Sequence, residues 1–126
     1  MNADERKIIL ESDFERALDS VLGAFEREGF IVRPVNGAGR FRFVADHKIL
    51  RCAELAVTLP ELTFLESVSP TLLGCRIAMC ELTPHSTVVT ATSPLVRYPV
   101  LVSLLPRIRS RVDCVLHALV GGKQGH

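Results

Sequence analysis

The chain has 126 residues, which is enough for one domain with a buried core. Apolar residues make up 48%, charged residues 23%, and the net charge is +1, so the globular balance is ordinary and there is no basic run to track a nucleic acid. No apolar run approaches the roughly 20 residues of a membrane span.

The opening Met-Asn-Ala-Asp-Glu-Arg-Lys is charged and lacks the apolar core of a signal peptide. These features lead us to expect a cytoplasmic protein, with neither membrane nor nucleic acid as partner. In that compartment the four cysteines are expected to be thiols.

Lys7 to Glu11 is expected to be a short strand. Ser12 and Glu15 stand at capping-box spacing and predict a helix start. Phe14, Leu18, Val21, Leu22 and Phe25 recur on one helical face, and Gly29 predicts a left-handed stop. Phe30 to Val35 is expected to be a strand, and Asn36 to Gly39 a turn. Phe41 and Phe43 alternate with Arg40 and Arg42, so a second strand follows, and Lys48 to Cys52 is expected to be a third.

Thr58 and Glu61 form another capping box, with Pro60 in the tolerated first turn; a short helix is expected through about Ser67, broken at Ser69-Pro70. Leu72 to Pro94 reads as two paired strands around a turn at Thr83 to Ser86. A last helix is expected to begin near Pro99 or Pro106. Its buried stripe would be Leu104, Ile108, Val112, Val115 and Leu119, and Gly121-Gly122 would stop it.

One domain over 1–126 is expected, with an ordered core of about 5–121 and a flexible tail at 122–126. Runs of adjacent strands with few helices predict an α+β fold, with helices packed on one face of an antiparallel sheet.

With these residues placed, the chain resembles the family catalogued as domain of unknown function 302. Phe14 to Phe30 looks like that family's first helix and its Glu-Glu-Gly-Phe end. His47-Lys-Ile-Leu-Arg-Cys52 resembles a Tyr-Lys-Ile-Leu-Gly-Ala-Cys-Asn-Pro segment. Leu72-Leu-Gly-Cys75 resembles Leu-Leu-Pro-Cys before a Val-rich strand, and Thr87 to Pro94 resembles a strand ending in Asp-Pro.

Several positions depart from that pattern. His47 stands at the Tyr position, Ala53-Glu54-Leu55 replaces Cys-Asn-Pro with Cys52 one residue early, and Ser93 stands where Asp is usual. The fold implied by the resemblance is TBP-like: strand, helix, four strands, helix. The family names no reaction.

The cysteines fall at 52, 75, 80 and 114 with no Cys-x-x-Cys pair, so structural zinc is a weak reading. Alternation along a strand puts Cys75 on one face with Leu73, Ile77 and Met79, and Cys80 on the other with Ala78 and Leu82. Cys75 and Cys114 are expected to act as small core hydrophobes. The sharper alternative pairs Cys52 with Cys75 across strands as a redox or metal site, with Cys80 or His47 in support. Candidate ligand-binding residues are therefore Cys75, Cys52, His47 and Arg51.

His117 follows Cys114 by three residues on one helix face, a spacing that also suits a metal. His85 is expected in a solvated turn. Arg107 and Arg111 are expected on a solvated face, with Asp113 paired to Arg109 at the i, i+4 spacing.

No nucleophile elbow, phosphate loop, His-Glu-x-x-His or paired-acid motif is visible, which leaves enzyme status open and names no cofactor. Val96 to Leu105 is more apolar than one helix face can bury, which predicts a homodimer. The expected function is a non-catalytic binding or interaction module. The alternative is a thiol- or metal-dependent protein using Cys75 with Cys52.

Overall fold

The computed structural model describes residues 5–35, 40–45, 48–60, 75–92 and 105–124. The expected turn at Asn36, the helix after Thr58, His47, and Val96 to Leu104 lie outside the described residues. The elements are β1 (Glu5–Leu10), α1 (Phe14–Arg27), β2 (Ile31–Pro34), β3 (Arg40–Ala45), β4 (Lys48–Thr58), β5 (Cys75–Thr83), β6 (Ser86–Thr92) and α2 (Leu105–Gln124). This is an α+β architecture.

The sheet is antiparallel in the order β1-β6-β5-β4-β2, and β3 also pairs with β4. Strand β4 is longer than Lys48 to Cys52 because it serves two partners along one edge. Its first half pairs with β3 from Lys48 to Ala53, and its last four residues pair with β2. The Val35 N–H bonds the Glu54 carbonyl at 3.0 Å, at the junction of the two ladders.

Helix α1 follows the expected periodicity and buries Phe14, Ala17, Leu18, Val21, Ala24 and Phe25. Its N-cap is Asp13 and not Ser12: the Asp13 carboxylate accepts from the Arg16 N–H at 2.9 Å, and Glu15 becomes a first-turn acid favoured by the helix dipole.

The C-terminus is a complete Schellman motif. The Phe30 N–H donates to the Phe25 carbonyl and the Gly29 N–H to the Glu26 carbonyl, each at 3.0 Å. Gly29 supplies the required positive φ of 93°. Phe25 and Phe30 close the motif edge to face, with ring centroids 5.3 Å apart.

Beneath α1, one sheet face is apolar by strict alternation. Leu10, Ala53, Leu55, Val57, Cys75, Ile77, Met79, Val89 and Ala91 are buried there. The register aligns them across strands: Ile8 with Val89, Met79 with Val89 and Ala53, and Val32 with Val57. Thr87 is fully buried on this face, and its hydroxyl donates to the Ser12 carbonyl at 3.2 Å, so the buried group is satisfied. Since β1 and β2 lie at opposite ends of the sheet order, α1 carries the chain across the sheet between them.

Helix α2 packs on α1 and β1, burying Ile108, Val112, Val115 and Leu116, with Leu119 partly covered. Pro106 occupies its first turn, where a missing N–H costs nothing. The helix runs through Gly121 and Gly122 to Gln124, past its expected stop and into the expected tail. Gly29 is the only glycine with positive φ among the described residues, so no left-handed cap ends α2 at Gly121. Asp113, expected to face Arg109, pairs with Arg6 of β1 at 3.1 Å, because α2 docks against that strand.

Arg111 is not solvated as expected. Its guanidinium lies 5.4 Å from the Phe30 ring centroid and donates to the Glu28 carbonyl, tying α2 to the end of α1. The β5–β6 turn matches expectation: the His85 N–H donates to Thr83 Oγ1 at 3.1 Å, Thr83 and Ser86 share a hydroxyl bond of 2.8 Å, and His85 is exposed. No described helix is long and apolar enough to cross a membrane.

Candidate functional site

Strand parity and register together decide which cysteines meet. On β5, Cys75, Ile77 and Met79 are buried on the helix side, while Arg76, Ala78 and Cys80 alternate to the other side. On β4, Ala53, Leu55 and Val57 point to the helices, which puts Cys52 and Glu54 on the far side. The antiparallel register sets Cys52 directly opposite Cys80, and Cys75 opposite Val57.

Cys52 and Cys80 therefore form a pair, with Sγ atoms 2.9 Å apart. The expected pairing of Cys52 with Cys75 does not occur, because the two side chains leave opposite faces of the sheet and sit at different rungs.

The pair occupies the last rung of the β4–β5 ladder. Just beyond it, the β5–β6 register shifts between Glu81 and Thr83, an irregularity of the β-bulge kind. The two thiols differ in environment: Cys52 is 1% exposed and Cys80 is half-buried. Cys52 Sγ also lies 3.9 Å from the Leu50 carbonyl. Burial pushes the Cys52 thiol up to about 12, and the hydrogen bond to Cys80 together with the negative charge of Cys80 and Glu81 adds to this. At neutral pH Cys52 is thus a proton-holding thiol.

Cys75 is a core residue, as one reading of the sequence has it. It is 2% exposed, and burial raises its thiol to about 11; Arg109 opposes this and Asp113 adds to it. The adjoining cavity, lined in part by Arg6, Thr92, Arg109 and Asp113, measures about 10 Å³, close to the minimum for one water. Among the described residues, this cavity beside Cys75 has room for no more than about one water.

Arg51 is exposed and stands opposite Arg42 in register, on the face away from Cys52. His47, the remaining candidate, lies outside the described residues.

Cys114 is exposed, which corrects its expected place in the core. The docked face of α2 is set by Ile108, Val112, Val115 and Leu116, and Cys114 falls just outside it. Cys114 and His117 share a face as expected, on an open groove of about 680 Å³ along α2 with Pro106, Arg109, Ser110 and Asp113. Among the described residues no three His, Cys, Asp or Glu side chains converge as a metal site.

The partner of Cys52 was the part of the site that sequence reasoning missed. The parity of Cys80 was readable, but its register against β4 was not.

No family model matches the chain, and neither a curated protein nor a solved structure matches it.

Proposed function

We propose that this chain is a small, non-catalytic cytoplasmic interaction module that works as a two-fold homodimer through the sheet face opposite its helices. The carrying observation is the exposed apolar surface at Ile9 and Leu82. Both described helices pack on one side, and on the other side Ile9 is 56% exposed beside half-buried Val88 and Ala78. Leu82, at the β5 end of the sheet, is 51% exposed.

Thr90 and Thr92 of this face are uncharged, Glu54 pairs with Arg76 at 3.5 Å, and the exposed Glu5 and Lys7 of β1 stand opposite Thr92 and Thr90 as charges of opposite sign. A net charge of +1 presents little repulsion to a second copy. The TBP-like reading and the resemblance to the domain of unknown function 302 family are proposed alongside the dimer; the α+β class and the opening strand and helix agree with them, while five strands, one more than that order has, separate the helices. A closed two-fold contact uses the same patch on both copies, so one surface change acts twice.

Native mass spectrometry and light scattering test the reading. The wild-type chain is expected to be a dimer at micromolar concentration, and the Ile9→Lys/Leu82→Glu variant a folded monomer by circular dichroism. A wild-type monomer at high micromolar concentration overturns the reading. A variant that remains dimeric moves the contact to another surface and overturns the assignment of this face.

A further inference from the structure

We propose that Cys52 and Cys80 are a dithiol site that closes to a cross-strand disulfide within one chain, by exchange with a low-molecular-weight disulfide of the glutathione type. The bond is intrachain, so the proposal goes beyond the dimer reading and does not rest on it.

Three observations carry it. The first is register. Directly opposed antiparallel residues hold their Cα atoms about 4.5–5.5 Å apart, inside the 4.4–6.8 Å range that a disulfide spans. The second is the sulfur separation of 2.9 Å, which leaves under about 1 Å to a bond length near 2.04 Å.

The third is position. The pair is the last rung of the β4–β5 ladder, next to the β5 irregularity, so on one side no further β4–β5 rung constrains the bridge. A shared zinc ion would spread two thiolates to about 3.8 Å at 2.3 Å Zn–S bonds and would call for further ligands. Among the described residues no third such side chain converges on the pair.

Differing exposure orders the steps. Cys80, half-buried, is the entry thiol. It loses its proton to solvent, and its thiolate attacks one sulfur of the small disulfide. That S–S bond breaks, one small thiol leaves, and a mixed disulfide remains on Cys80. Cys52 then loses its proton and attacks Cys80 Sγ. The mixed bond breaks and the second small thiol departs. Two electrons pass from the protein thiols to the small disulfide, and its two halves take up the two protons. Cys52 is the buried resolving thiol, and its attack quickens as rising pH increases its thiolate fraction.

The test treats the full chain with glutathione disulfide and reads intact mass and a non-reducing peptide map. It uses wild type, Cys52→Ser, Cys80→Ser and the Ile9→Lys/Leu82→Glu variant. The last exposes Cys80 whether or not a dimer covers it, so occlusion is separable from wrong geometry.

The expected result is a loss of two hydrogens, a Cys52–Cys80 linked peptide, and two of the four thiols left for alkylation. Cys52→Ser is expected to retain one glutathione on Cys80, since nothing resolves it. Cys80→Ser is expected to leave Cys52 unmodified. A Cys52–Cys80 link in either wild type or the surface variant supports the site. Four free thiols in both proteins, a link to Cys75 or Cys114, or a link between copies overturns it.

Discussion

A single glycine sets the corner from which the helical layer is built. Gly29 takes φ 93° so that the Schellman bonds form and Phe30 folds back on Phe25. Arg111 then covers Phe30 and bonds the Glu28 carbonyl, so the same corner receives α2. A Cβ at Gly29 would lie 3.4 Å from an Arg111 Nη, but the backbone conformation is the larger obstacle. An L-residue in the left-handed region costs about 1–2 kcal/mol. Gly29→Ala is therefore expected to lower unfolding free energy by about that amount, read as a lower urea midpoint at unchanged m-value. The exposed Arg6–Asp113 pair contributes far less, because both side chains remain about half in water.

Strand β4 is the element on which the molecule turns. It pairs with β3 and β2 on one edge and with β5 on the other, so it is central although two short strands share its flank. Cys52 sits where the ladders to β3 and β5 overlap. A bond from Cys52 to Cys80 would close a loop of 28 residues, which in the chain-entropy account stabilises the fold by about 3–4 kcal/mol. The oxidised chain is expected to show a urea midpoint raised by that increment. Cys80→Ser is expected to show no rise on the same treatment. A smaller gain would mean that closing the bond distorts the ladder, since strain in the folded state subtracts from the entropic term.

At the scale of the whole molecule, the two buried thiols make stability fall in alkali. Cys52 is raised from 9.0 to about 12 and Cys75 from 9.0 to about 11. Both raised values mean that the folded chain holds protons the unfolded chain releases. Their contribution is fully present below pH 9 and is lost as pH rises through the folded values. In that window unfolding free energy is expected to fall by up to about 1.4 kcal/mol per pH unit for each thiol. Chemical denaturation of the reduced protein from pH 8 to 11 measures the slope, and Cys75→Ala is expected to flatten it. The two thiols lie on opposite faces of the sheet and share no partner among the described residues, so their effects should add.

The sequence by itself determined what depends on near neighbours. Helix α1 was legible because its apolar residues repeat at helical spacing and Gly29 ends the run. The α+β class, the turn at Thr83 to Ser86 and the inward face of Cys75 followed from local alternation and turn chemistry. The N-cap was off by one because Ser12 and Asp13 are both good caps, and it is the Asp13 carboxylate that accepts the Arg16 N–H. Tertiary structure alone decided the partner of Cys52, the exposure of Cys114, the pairing of Asp113 with Arg6 and the burial of Phe30 under Arg111. Each of these joins segments far apart in the chain. Alternation tells which face a residue takes, whereas register tells whom it meets. Register is set by the summed contacts of a whole sheet, and the docked face of α2 by the summed contacts of a layer, neither of which any short window of sequence contains.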